Sequence, residues 1–91
     1  MKVVEMRQVE NSQEGFVNEI LFDKAVKKSF IKYLGKKGRI LYHHPPFFNV
    51  DFHGAYKIKG VEGEKSTKVI FSNNTKEALE DFMQLVDLYK N

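Results

Sequence analysis

Apolar residues fall at alternating positions in some stretches and at helical spacing in others, and that change of period divides the chain into elements. Val3 to Val9 ("VVEMRQV") alternates and predicts a first strand. "ENSQEG", Glu10 to Gly15, is rich in turn formers. Phe16 to Phe22 ("FVNEILF") fits a second strand, or the opening of a helix capped by Asn11 with Glu14 three residues on. The strand is the preferred reading. Asp23 to Leu34 ("DKAVKKSFIKYL") predicts a helix with Asp23 as N-cap and Gly35 as stop. Ala25, Val26, Ser29, Phe30, Tyr33 and Leu34 share one side of it, and Lys24, Lys27, Lys28 and Lys32 the other.

"GKKG" then reads as a turn, and Arg39 to His43 as a third strand. Pro45-Pro46 makes a tight connection into Phe48 to Lys59, where the alternation is cleanest. Phe48, Val50, Phe52, Gly54, Tyr56 and Ile58 point one way; Asn49, Asp51, His53, Ala55, Lys57 and Lys59 point the other. This predicts one long strand with a bulge or close approach at Gly54. Thr67 to Ser72 is a further strand with Val69 and Phe71 on one face. Asn74, with Glu77 at the capping-box position, opens a last helix whose apolar face holds Ala78, Leu79, Phe82, Met83, Leu85, Val86 and Tyr89. The order β-(β)-α-β-β-β-α predicts an α+β two-layer sandwich. An antiparallel sheet of four to five strands carries both helices on one face, within a single domain over residues 1–91.

Composition narrows the function. A hydrophobic share of 42% with 30% charged residues suits a folded domain of 91 residues. The chain has no Cys, which removes disulfides, thiolate metal sites and thiol nucleophiles. No window approaches the roughly 18 apolar residues of a membrane span, and the start lacks a leader-like apolar run, so a cytoplasmic protein without membrane contact is expected. A net charge of +3 is too weak to imply nucleic acid by itself.

The charges are segregated. The first helix shows lysines outward, and the last shows Glu77, Glu80, Asp81 and Asp87. Ile31 falls among those lysines by helical angle, and Leu88 sits on the acidic side. A two-residue Pro turn would set His44 opposite Phe47 and His43 opposite Phe48. In that register Ile40 and Tyr42 join Phe47 on the polar sheet face as a small apolar patch. The candidate binding residues are therefore Lys24, Lys27, Lys28, Ile31, Lys32, Ile40, Tyr42 and Phe47. A protein partner or a second copy of the chain is the expected ligand, and RNA bound through the lysines of the first helix is the alternative.

All three histidines lie within Tyr42 to Gly60. Adjacent strand residues point to opposite faces, and at about 3.3 Å per residue His53 stands roughly 15 Å from His43 and His44. Three or four ligands cannot converge from those positions, so no metal and no cofactor is expected. His43 and His44 are the only catalytic candidates. "HHPPFFNV" (His43, His44, Pro45, Phe47, Asn49, Val50) resembles the active-site signature of the pterin carbinolamine dehydratases. That resemblance implies an antiparallel sheet with helices on one face, and His43 and His44 as general acid and base in dehydrating a hydroxylated pterin. The family has an aromatic residue where Asp51 stands and a further histidine where Val61 stands. The helix–three strands–helix order is also similar to that of double-stranded-RNA-binding domains, and, with a strand in front, to that of ribosome-associated hibernation factors.

Overall fold

β-Branched and aromatic residues at every second position set the strands, and the computed structural model describes residues 1–9, 15–73 and 76–89. Among these, the strands are β1 (Val3–Gln8), β2 (Phe16–Phe22), β3 (Arg39–His44), β4 (Phe47–Phe52), β5 (Tyr56–Val61) and β6 (Ser66–Phe71). They form one antiparallel sheet in the order β1-β2-β6-β5-β4-β3. The helices α1 (Lys28–Lys37) and α2 (Lys76–Asp87) pack on one face. Of the expected turn over Glu10 to Gly15 the first five residues, and the cap at Asn74, lie outside those described.

The core lies between that face and the helices. Ile20, Val50, Ile58 and Val69 from the sheet meet Phe30 and Leu34 of α1 and Phe82 and Val86 of α2, all fully buried. Each such side chain contributes about 1.5–3 kcal/mol by leaving water. Hydroxyls then fix the layers. Tyr33 donates to the Leu85 carbonyl at 2.5 Å, joining α1 to α2, and the Ser29 and Tyr89 hydroxyls meet at 2.7 Å, joining α1 to the residues that follow α2. Tyr56 donates to Asp81 Oδ2 at 2.7 Å, joining β5 to α2.

The sheet has six strands rather than four to five, because the long run from Phe48 to Lys59 folds back on itself. His53 and Gly54 both take positive φ (55° and 73°), and the Ala55 N–H donates to the Phe52 carbonyl at 2.9 Å. Two left-handed residues in succession give the twist that a tight hairpin needs. Phe52 lies directly opposite Tyr56, so both strands present the same parity to the core. The alternation runs through the turn unbroken, which is why it reads as a single strand.

The first helix begins later than the sequence pattern suggests. Asp23 does not cap it; its carboxylate accepts the Lys2 N–H at 2.8 Å, and that bond holds the Asp23 carboxyl below its usual range. Residues 23–27 form a non-helical strap, bent at Asp23 and Lys24 and extended at Lys27. Val26 donates to the Glu64 carbonyl and accepts from the Gly63 N–H, both at 2.8 Å. With the β5–β6 connection satisfying that backbone, a helical turn gains nothing there. The helix runs on through Gly35 to Lys37, and the Gly38 N–H closes it on Leu34. Gly38 is required at this point, since a Cβ would stand 2.6 Å from the Asp51 carbonyl oxygen.

The later start moves the buried face of α1. It is built from Phe30, Ile31 and Leu34, and Ile31 is fully buried, not exposed among the lysines. A second shift occurs in β3. The register slips at Leu41, so Ile40 pairs with Val50 while Tyr42 pairs with Asn49. This bulge turns Ile40 toward the helix side, where its side chain lies over Gly35. Tyr42 and Phe47 keep the face expected of them.

Candidate functional site

Strand alternation decides what the uncovered face displays. Cross-strand partners share a face, and three rows can be followed across the sheet. One runs Tyr42, Asn49, Lys59, Lys68, Glu19, Arg7. Beside it run His44, Phe47 and Val61, and on the other flank Arg39, Asp51, Lys57 and Ile70. Arg7 and Glu19 pair at 3.3 Å at the β1–β2 end.

At the β3–β4 end this face holds a groove of about 480 Å³. Tyr42 and Phe47 stand tall on one side, and Lys59 and Lys68 on the other. Asn49, Val61 and Ser66 are shorter and lie between. Tyr42 is 45% exposed and Phe47 52%, large fractions for aromatic rings in a small domain. The His44 ring lies 4.7 Å from that of Tyr42 and steadies it. Asn49 Oδ1 is buried and finds no hydrogen-bond partner among the described residues. A buried acceptor in that state costs about 1–3 kcal/mol.

The other expected residues lie elsewhere. Lys24 and Lys27 are exposed on the strap before α1, and Lys28 and Lys32 on the outer side of α1. That side faces away from the groove, so the lysines of the first helix and the Tyr42–Phe47 pair do not form one surface. Ile31 and Ile40 belong to the helix side and drop out of the patch. The cations that do accompany the aromatics are Lys57, Lys59 and Lys68. Their signal was present in the sequence: the alternation that buries Tyr56, Ile58 and Val69 places these lysines together on the opposite face.

His43 and His44 are separated by the strand they share. His44 is exposed on the uncovered face beside Tyr42. His43 lies opposite Phe48 on the helix side, with Nε2 buried and without a partner among the described residues. The pair precedes Pro45 on a strand, not at the end of a helix. Acid and base work on one substrate needs both groups within reach of it, and two opposite faces do not provide that. Among the described residues no three histidines or carboxylates are grouped to hold a metal ion, and no helix is long and apolar enough to cross a membrane.

A second hollow, about 220 Å³, lies on the helix side and is lined by His53, Tyr56 and Asp81 among others. Burial first, and then the neighbouring Asp81 carboxylate, hold the Tyr56 phenol protonated far above its usual range. It therefore acts as a fixed donor that ties two layers together.

No protein-family model matches the chain, and neither any curated protein nor any solved structure is detectably similar to it.

Proposed function

We propose that this is a non-catalytic binding domain whose contact surface is the uncovered face of the sheet from β3 to β6. The observation that carries the reading is the exposure of Tyr42 and Phe47 beside a groove that no part of the described chain covers. Exposed aromatic rings on one side of a groove and ammonium groups on the other are what a recognition surface supplies. The test is a two-dimensional amide NMR titration of the chain with oligonucleotides, short peptides and polyanions, together with a dilution series. Shifts confined to β3–β6 are expected with one of these. Shifts confined to α1 and α2, or none with any of them, would refute it.

One observation favours a second reading, contact between copies through β3. Among the described residues this strand lies at the sheet edge and pairs only with β4, which leaves the other side of its backbone open to them. Ile40 and Leu41 on it are 44% and 40% exposed. An edge with exposed apolar residues invites strand addition, and the one formal charge on β3 is Arg39 at its start. Sedimentation velocity across a concentration series tests this: a dimer abolished by Leu41→Lys supports it, and a monomer throughout ends it.

A further inference from the structure

We infer that the groove on the uncovered sheet face binds single-stranded nucleic acid. This rests on the reading of that face as the contact surface and names its ligand.

Charge is the first ground. The strands β3, β4, β5 and β6 contain four cations, Arg39, Lys57, Lys59 and Lys68, and one carboxylate, Asp51. The pairing Arg39–Asp51–Lys57 and the pairing Asn49–Lys59–Lys68 put all five on the uncovered side. That half of the face therefore carries a formal +3, four cations less one carboxylate, matching the whole chain's +3. The modest overall charge conceals a concentrated one, and a polyanion is the complementary partner.

The second ground is the kind of wall opposite the ammonium groups. Tyr42 and Phe47 offer exposed ring faces, and an unpaired base gains about 1–3 kcal/mol by stacking on such a ring. From Tyr42 to Lys68 the row crosses three strand spacings, roughly 14 Å at about 4.8 Å each. This sets aromatic rings at one end and ammonium groups at the other, so bases and phosphates of one short strand meet complementary groups together. A duplex keeps its bases stacked on each other and could use only the ammonium groups.

Fluorescence anisotropy with labelled single-stranded RNA and DNA of increasing length, at several salt concentrations, tests the inference. Affinity should rise with length and exceed that for a mononucleotide and for the matching duplex. Its logarithm should fall with log salt at a slope of about −2 to −3, from three or four phosphate contacts at about −0.7 each. Tyr42→Ala and Phe47→Ala should each weaken binding about fivefold to a hundredfold or more. Lys59→Glu with Lys68→Glu should reduce the slope by about 1 to 2. Lys28→Glu with Lys32→Glu, on the far side of the molecule, should leave affinity within about twofold. All of these positions are at the surface, and thermal melts establish that each variant is folded.

No binding up to about 100 µM, the weak end of non-specific nucleic-acid affinity, would overturn the inference. So would equal affinity for duplex, or loss in the α1 variant with retention in the groove variants. If oligonucleotides fail while a peptide or dilution still shifts the amides of Tyr42, Asn49 and Lys59, the ligand is wrong and the binding face stands. If nothing shifts them, both fall.

Discussion

Ile31 offers the sharpest test of the packing. It sits in a run of lysines, and the helical pattern read from Asp23 onward leaves it at the surface, whereas the folded chain buries it completely. Ile31→Ala removes three carbons beyond Cβ from a site without solvent, at about 0.8 kcal/mol each, or about 2.4 kcal/mol in transfer alone. The cavity left behind adds to this, and the expected loss is about 3–4 kcal/mol. A domain of this size has about 5–15 kcal/mol in all, so the variant should be folded but its melting temperature should fall by more than about 10 °C. Lys32→Ala, one residue on and exposed, should change stability by less than about 0.5 kcal/mol. Urea unfolding followed by far-ultraviolet circular dichroism measures both, with equal slopes expected. A loss below about 1 kcal/mol for Ile31→Ala would mean that α1 starts earlier and presents Ile31 outward.

Three further outcomes follow from the same geometry. Gly60→Ala places a methyl against the Thr67 hydroxyl and 2.8 Å from the Phe48 ring. It should cost about 1–3 kcal/mol in urea melts, part of it recovered by adding Thr67→Ala; an unchanged midpoint would contradict the packing. Tyr56→Phe removes the bond to Asp81 and should cost about 0.5–1.5 kcal/mol at neutral pH. The Tyr56 phenol ionises near pH 10.0 when unfolded and higher when folded, so its contribution is complete below pH 10 and fades as pH rises above it. Wild type should therefore lose stability faster than Tyr56→Phe as the pH rises above about 10; parallel curves would count against this. His43→Leu replaces a buried nitrogen that has no partner among the described residues and should leave stability unchanged or raise it by about 1 kcal/mol. A clear loss by thermal melting would reveal a partner for that nitrogen.

Local pattern revealed some elements and could not reveal others. Strand β6 was legible because Val69 and Phe71 are buried against the helices while Lys68, just before them, is exposed. In contrast β2, buried at Val17, Ile20 and Phe22, does not alternate strictly and left a helical opening possible. The Pro45-Pro46 connection was legible because two residues suffice to set His43 opposite Phe48. The His53–Gly54 turn was hidden because it preserves parity, and periodicity alone cannot register a reversal that keeps phase. The strap before α1 was hidden for another reason. Its backbone partners, Gly63 and Glu64, lie far along the chain, and no local rule knows that they will arrive. The bulge at Leu41 similarly moved Ile40 to the other face while sparing Tyr42. The candidate site suffered from emphasis more than from missing signal. Lys57, Lys59 and Lys68 were already on one side of their strands, but the helix lysines formed the denser run in sequence.

The placement of β6 has a consequence for how the molecule is made. This strand comes last of the six, yet it lies between β2 and β5, with Phe16 opposite Phe71. During synthesis β1 and β2 emerge early and wait as a two-stranded ribbon, which is marginal alone in water. β3, β4 and β5 can pair with one another as they appear, but their edge and that of β2 stay open until β6 arrives to join them. Closing so long a stretch of chain slows folding and leaves two strand edges unguarded meanwhile. A translational pause just before β6 would lengthen that interval, and a substitution that weakens β6 would show first as aggregation of the nascent chain.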